Sequence, residues 1–246
     1  MRLLFINPNT SAHLTEMGAA IARSVARPET EIVASTGRFG ARYITTRAAA
    51  AIASHAVLDC YARDGRGVDA VVIACFGDPG LFALRELASV PVIGMAEASC
   101  HVASTLGRKF AIVTGGQAWG PMLEEFAAAI GLSGKLASVR TVAPSGADIA
   151  ANPDGAMASL KQTCLDAVRQ DGAEAVILGG LGLAGLAARM AAEVPVPLID
   201  NVIAAVRTAE TVAGLGVAKA RAGSFAATAA VEKQGLSPDL AALIDP

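Results

Sequence analysis

The sequence predicts an α/β protein of two similar lobes, each a roughly four-stranded parallel sheet flanked by helices, with an active site in the cleft between them. Three observations carry that prediction. First, a strand-turn-helix unit occurs twice: Asp69–Leu81 and Glu174–Leu186 lie 105 residues apart and share an apolar run followed by a glycine-bearing turn. The match extends to Pro91-Val92-Ile93-Gly94 against Pro197-Leu198-Ile199-Asp200 at 106 residues, and to Leu4–Thr10 against Ala111–Gln117 at 107. Second, strand-like runs alternate with longer alanine-rich helical stretches, the order expected of parallel sheets. Third, the runs at 70–74 and 175–178 are apolar throughout, as in central strands covered by helices on both faces.

The elements follow in order. Residues 2–6 form the first strand, stopped by Asn7-Pro8-Asn9, and Thr10 to Ala26 carries helical periodicity with Thr10 or Ser11 as its cap. Residues 31–35, 69–74 and 91–94 complete the first set of strands, with a helix over Thr46 to Ala62. The second set is 110–114, 137–143, 174–178 and 197–199, with helices over Gly120 to Ala129 and Gly155 to Gln170. The lobes are assigned to residues 1–98 and 99–205. Residues 206–246 belong to no third repeat, read as helical up to Gly235, and are expected to pack back on the first lobe. No low-complexity linker separates the lobes, so they are expected to share an interface.

Composition narrows the function. The net charge of −2, from 20 basic and 22 acidic residues, gives no field for nucleic acid or an anionic membrane, and a small-molecule substrate is the expected partner. Hydrophobic residues make up 53% of the chain, yet no continuous run is long enough to span a bilayer. Met1–Ile6 reads as a buried strand and not as a signal peptide, which makes the cytoplasm the expected compartment. Cys60, Cys75, Cys100 and Cys164 show no C-x-x-C spacing, so neither a metal site nor a disulfide framework is expected, and the thiols should be free.

Ligands of open parallel sheets bind beyond the carboxyl ends of the strands. The candidate site loops are therefore Asn7–Ser11, Cys75–Gly80, Thr114–Gln117 and Gly179–Leu183. Cys75 ends an apolar run and precedes Phe76-Gly77-Asp78-Pro79-Gly80, where exposed amides are expected to lower the thiol from its usual value of about 8.5. Cys60 and Cys164 lie in helical segments and read as core. Cys100 and His101 do not form a nucleophile–base pair, since neighbours on a helix point about 100° apart. Asn9 and Thr10 offer donors and acceptors for a carboxylate, amide or ring carbonyl. Phe76 and Gly77 flank the thiol, and Thr114, Gly115, Gly116, Gly180 and Leu181 bring further contacts, chiefly backbone amides. No G-x-x-x-x-G-K phosphate-binding motif is present. Phe39, Tyr43, Phe82 and Trp119 are candidate apolar walls.

These residues resemble the aspartate/glutamate/hydantoin racemase superfamily, most closely its hydantoin and allantoin racemase branch. The matching segments are Asn7-Pro8-Asn9-Thr10, Cys75-Phe76-Gly77-Asp78-Pro79-Gly80, Pro91–Ala98 and Gly179–Gly185, spread over most of the chain. The resemblance implies a cleft between two α/β lobes, no metal or organic cofactor, and a homo-oligomer. It also implies proton transfer at the carbon α to a carbonyl of a hydantoin, amino-acid or small carboxylate substrate, with one cysteine per lobe working on opposite faces. Cys75 matches the first of these cysteines, and the second falls at Gly180, which cannot transfer a proton. Three readings stay open. Another acid, or water, serves the second face, with His101, Asp78 and Glu97 as candidates. A single thiol supports decarboxylation or cis-trans isomerisation. Or the cleft binds a ligand without turnover.

Overall fold

The computed structural model describes residues 1–220, 222–226 and 232–244. Its first sheet holds β1 (Arg2–Asn7), β2 (Glu31–Thr36), β3 (Ala70–Ile73) and β4 (Val92–Gly94), with α1 (Ala12–Val25), α2 (Arg47–Asp64) and α3 (Leu81–Leu87) between them. After α4 (Met95–Leu106), the second sheet holds β5 (Phe110–Gly115), β6 (Leu136–Val142), β7 (Ala175–Gly179) and β8 (Leu198–Asp200). Its connections are α5 (Trp119–Ala129), α6 (Gly146–Ala151), α7 (Pro153–Asp171) and the short α8 (Ala187–Met190); α9 (Asn201–Gly214) and α10 (Pro238–Ile244) follow. The strand orders are β2-β1-β3-β4 and β6-β5-β7-β8, both parallel, so the internal repeat is a repeat of topology. All eight strands stand where the apolar runs place them.

Those runs are apolar throughout because each strand feeds two cores. Leu3 and Phe5 of β1 face one cluster while Leu4 and Ile6 face another, as period-two alternation requires. In β5, Phe110 and Ile112 share the first of these clusters, and Ala111 and Val113 turn to a third beneath α7. One core therefore runs through both sheets, and α4, α9 and α1 fill the space between them. The expected boundary at residues 98 and 99 falls inside α4, which follows β4 directly and packs on β7 and α9.

Beyond β8 the sequence expectation needs correction. Helix α9 stops at Gly214 and does not run to Gly235: the chain turns through Leu215 and Gly216, where φ is 65°, and carries one 3₁₀ turn at Gly223–Phe225. Residues 221, 227–231 and 245–246 of that expected segment lie outside the described residues. The described part is tied to the first sheet's helices. Lys219 Nζ donates to the carbonyls of Glu86 and Ala88 at 2.8 and 2.7 Å, Ser237 Oγ bonds Asp59 at 3.1 Å, and α10 packs on α2. Among the described residues no helix is long and apolar enough to cross a membrane.

Candidate active site

The carboxyl ends of β1, β3, β5 and β7 converge on a cavity of about 30 Å³. Six of the residues expected there line it: Asn9, Cys75, Phe76, Thr114, Gly180 and Leu181. Tyr43 and Trp119, expected only as apolar walls, join them. Leu14, Ile44, Ala74 and Gly182 complete the lining. Of these, Leu14 was legible only as an inward residue of α1, and Ile44 lies in an aperiodic loop that carries no signal. Thr10, Gly77, Gly115 and Gly116 stand behind the wall. The Thr10 amide bonds Ala41 O at 3.1 Å, Gly77 abuts the Trp119 ring, Gly115 presses on the amino end of α6, and Gly116 bonds Val142 O at 3.0 Å. Phe39 stacks obliquely on His55 at 4.9 Å and Phe82 is 55% exposed, so neither reaches the cavity.

Asn9 is oriented by its neighbours. Its Oδ1 accepts from Asn7 Nδ2 and from the Ser11 amide, both at 2.9 Å. Asn7 is fully buried and also donates to Thr15 Oγ1 at 3.0 Å, which takes a further bond of 2.7 Å from Thr36 Oγ1. With its oxygen filled, Asn9 presents the amide NH₂, which has no acceptor among the described residues, as the free donor of a cavity-lining side chain. This network replaces the expected cap on α1: Ser11 stands at the N-cap without using its hydroxyl there.

Cys75 sits half-buried at the end of β3. Burial, and secondarily the Asp78 carboxylate, push its thiol up to about 12, opposite to the direction the sequence suggested. The reason lies in where the nearby amides go. The Asp78 amide bonds the Cys75 carbonyl at 2.9 Å, and the amino terminus of α4 is occupied by Asp78, whose carboxylate accepts from the amides of Ala96 and Glu97 at 2.9 and 2.8 Å. That carboxylate lies directly over Gly94, where a Cβ would collide with it, and Asp78 holds a left-handed φ of 48° to reach it. Burial outweighs the two amides and raises Asp78 to about 8. The other three cysteines are buried, Cys60 and Cys164 inside their helices and Cys100 facing inward from α4.

On the second lobe's side, Thr114 is the penultimate residue of β5 and Gly180 follows β7 with φ 121° and ψ 139°, a conformation open to glycine. Its carbonyl accepts from Asn201 Nδ2 at 2.9 Å, and the same amide holds Leu178 O. A Cβ on Gly180 would meet only Leu183 at 3.5 Å and Thr114 Oγ1 at 3.7 Å, so the space for a side chain exists and only the backbone resists one. Phe76 reaches across from the first lobe and packs on Gly179, closing the floor. Tyr43 reaches across as well: its hydroxyl oxygen accepts from the Gly146 amide at 2.8 Å. The candidates for a second acid named from the sequence are all elsewhere. Asp78 faces α4, Glu97 pairs with Arg85, and His101 points outward from α4 into a groove with both of them.

A family model described as Asp/Glu/Hydantoin racemase matches residues 3–209. The chain is 38% identical over 229 residues to a hydantoin racemase of Paenarthrobacter aurescens, covering 92% of this chain and 96% of that one. Its fold superposes on an allantoin racemase from Pseudomonas fluorescens with a TM-score of 0.92 at 34% identity, over 96% of this chain and all of the other. An allantoin racemase from Klebsiella pneumoniae gives a TM-score of 0.88 at 39% identity, covering 100% and 99% of the two chains.

Proposed function

Because the chain belongs to the Asp/Glu/hydantoin racemase family, we propose that it is a cofactor-independent racemase or isomerase in which Cys75 transfers the proton at a carbon α to a carbonyl. The substrate class is a hydantoin, such as allantoin, or a related amino-acid derivative or small carboxylate. The observation that carries this reading is a thiol at a strand end, in one small cavity with the unspent donors of Asn9 and Thr114. The Cys75 thiolate takes the α proton, and the electron pair moves onto the carbonyl oxygen, which those donors stabilise as it becomes an enolate. A thiol pushed up to about 12 is rarely ionised at neutral pH, but its thiolate is a stronger base than an ordinary one and suits a weakly acidic C–H.

The bare Gly180 favours a second reading, one-face chemistry by Cys75 alone, as in a decarboxylase or a cis-trans isomerase. Deuterium incorporation from heavy water into single enantiomers of 5-substituted hydantoins and allantoin, followed together with optical rotation, separates the two. Exchange with loss of rotation, absent in Cys75→Ser, is the expected result; carbon dioxide release from a malonate-type acid would favour the second reading, and retained activity in Cys75→Ser would end both. A cytoplasmic homo-oligomer belongs to the same proposal. Four free thiols suit a reducing compartment, and the exposed Leu106, Ile203, Leu215 and Val217 suit contact with another copy.

A further inference from the structure

Among the described residues that line the cavity, only two side chains titrate, Cys75 and Tyr43. Their reactive atoms are held by different lobes. Cys75 stands on the first sheet at the end of β3, while the Tyr43 hydroxyl is anchored on the second lobe through the Gly146 amide at 2.8 Å. The Gly146 carbonyl in turn packs so closely on Gly182 that a Cβ there has no room, which sets the hydroxyl beside the Gly180–Gly182 loop. The hydroxyl oxygen accepts from Gly146, and its own proton has no acceptor among the described residues.

We propose that Tyr43 is the second acid/base of this site, giving a proton to the face of the α-carbon opposite Cys75, the task for which Gly180 has no side chain. This rests on the racemase reading above. In one direction the Cys75 thiolate takes the α proton and becomes a thiol, and the C–H electron pair passes into the enolate. The enolate carbon then forms a new C–H bond with the Tyr43 proton, and the O–H electron pair stays as tyrosinate. One negative charge is conserved throughout, and solvent exchange returns the proton from thiol to tyrosinate. In the other direction tyrosinate is the base and the thiol the acid. Burial and the Cys75 charge push Tyr43 up to about 12 against the opposing donors Gly146 and Trp119, so its hydroxyl holds the proton it is to give at neutral pH.

Tyr43→Phe tests this, since the ring keeps its packing and only the hydroxyl is lost. Each enantiomer of 5-methylhydantoin, 5-benzylhydantoin and allantoin is incubated in heavy water, and deuterium is read separately in remaining substrate and in product. In the wild type, deuterium is expected in the product and not in the remaining substrate, the pattern of two different proton carriers. In Tyr43→Phe, racemisation is expected to fall at least about 100-fold while the enantiomer whose α proton faces Cys75 still exchanges, with retained configuration. Racemisation at the wild-type rate, or exchange and racemisation lost in equal proportion with an unchanged melting temperature, overturns the assignment of Tyr43. A variant unfolded at the assay temperature is assayed below its melting temperature against the same outcomes, and early deuterium in the remaining wild-type substrate, the mark of a single carrier, overturns Tyr43 by itself. A wild type that neither exchanges nor racemises any of these compounds overturns the racemase reading, and the assignment falls with it.

Discussion

The loops after β3 and β7 occupy equivalent places in two sheets of identical topology, and they preserve a scaffold while exchanging the residues that build it. In the first lobe Asp78 leaves its loop, crosses Gly94 and caps α4. In the second, the counterpart of Gly94 is Asp200, which caps α9 itself through the amides of Val202 and Ile203 at 2.9 and 3.2 Å and also binds the Gly185 amide. The ties between loop and helix run in opposite senses too: the first loop supplies the acceptor for α4, while Asn201 at the start of α9 supplies the donor that holds Gly180. A carboxylate cap and a loop-to-helix tie survive in both halves. What differs is the residue that faces the cavity, a thiol in one and bare backbone in the other.

Substitutions and pH can break or sharpen that contrast. The largest effect is expected from Cys75→Ser, which should lower kcat/KM on an active hydantoin by roughly 10⁴-fold without altering the melting temperature, because the serine leaves the β3 loop bonds in place. Equal damage from changes in both loops would mean that the lobes contribute alike after all. Gly180→Ala should cost about 1–3 kcal/mol in denaturant unfolding, the penalty of a Cβ at φ 121°, although nothing blocks the space. A neutral outcome would show that the second loop adopts an ordinary conformation as soon as a side chain is present.

The rate should respond to pH as well. Since the Cys75 thiol is raised to about 12, thiolate grows in proportion to hydroxide, and kcat/KM should climb about tenfold per pH unit from 7 to 9. A plateau below pH 8 would place thiolate-stabilising donors in the first loop that the resting geometry assigns elsewhere. A second response to pH concerns Asp78. Its folded value of about 8 lies above the ordinary 3.8, so the folded state holds the proton more tightly, and this contribution to stability is complete below about 4 and lost as pH rises through 8. Asp78→Asn keeps an acceptor over α4 but cannot ionise, so its melting temperature should gain on the wild type between pH 5 and 8. A difference independent of pH would show that Asp78 is already ionised in the fold.

The lobes, all eight strands and the Cys75 loop were legible because uninterrupted apolar runs report strands covered on both faces, and strand ends in parallel sheets converge. Asn9 and Thr114 were legible for the same reason. Less visible was how each local group is spent. The thiol looked poised for ionisation because amides lay close in sequence, yet burial dominates there and the α4 amides are taken by Asp78. Ser11 looked like a cap, but the buried amide of Asn7 organises that turn. Tyr43 could be named only as a wall, since its hydroxyl is placed by an amide 103 residues away. Helix α9 ends early because Gly214 and Gly216 flank Leu215, a local signal outweighed by the alanine-rich pattern beyond it.

The core that passes through both sheets bears on how the molecule comes apart. Two lobes of like topology would ordinarily be expected to unfold one after the other, each with its own midpoint. Here Phe5 and Val72 of the first sheet, Phe110 and Ile177 of the second, and Val202 and Val206 of α9 belong to one buried cluster. Neither sheet can be exposed on that side without stripping the other. The unit of cooperativity is therefore the pair of lobes, and heat or denaturant should reveal a single transition whose steepness reflects nearly the whole chain.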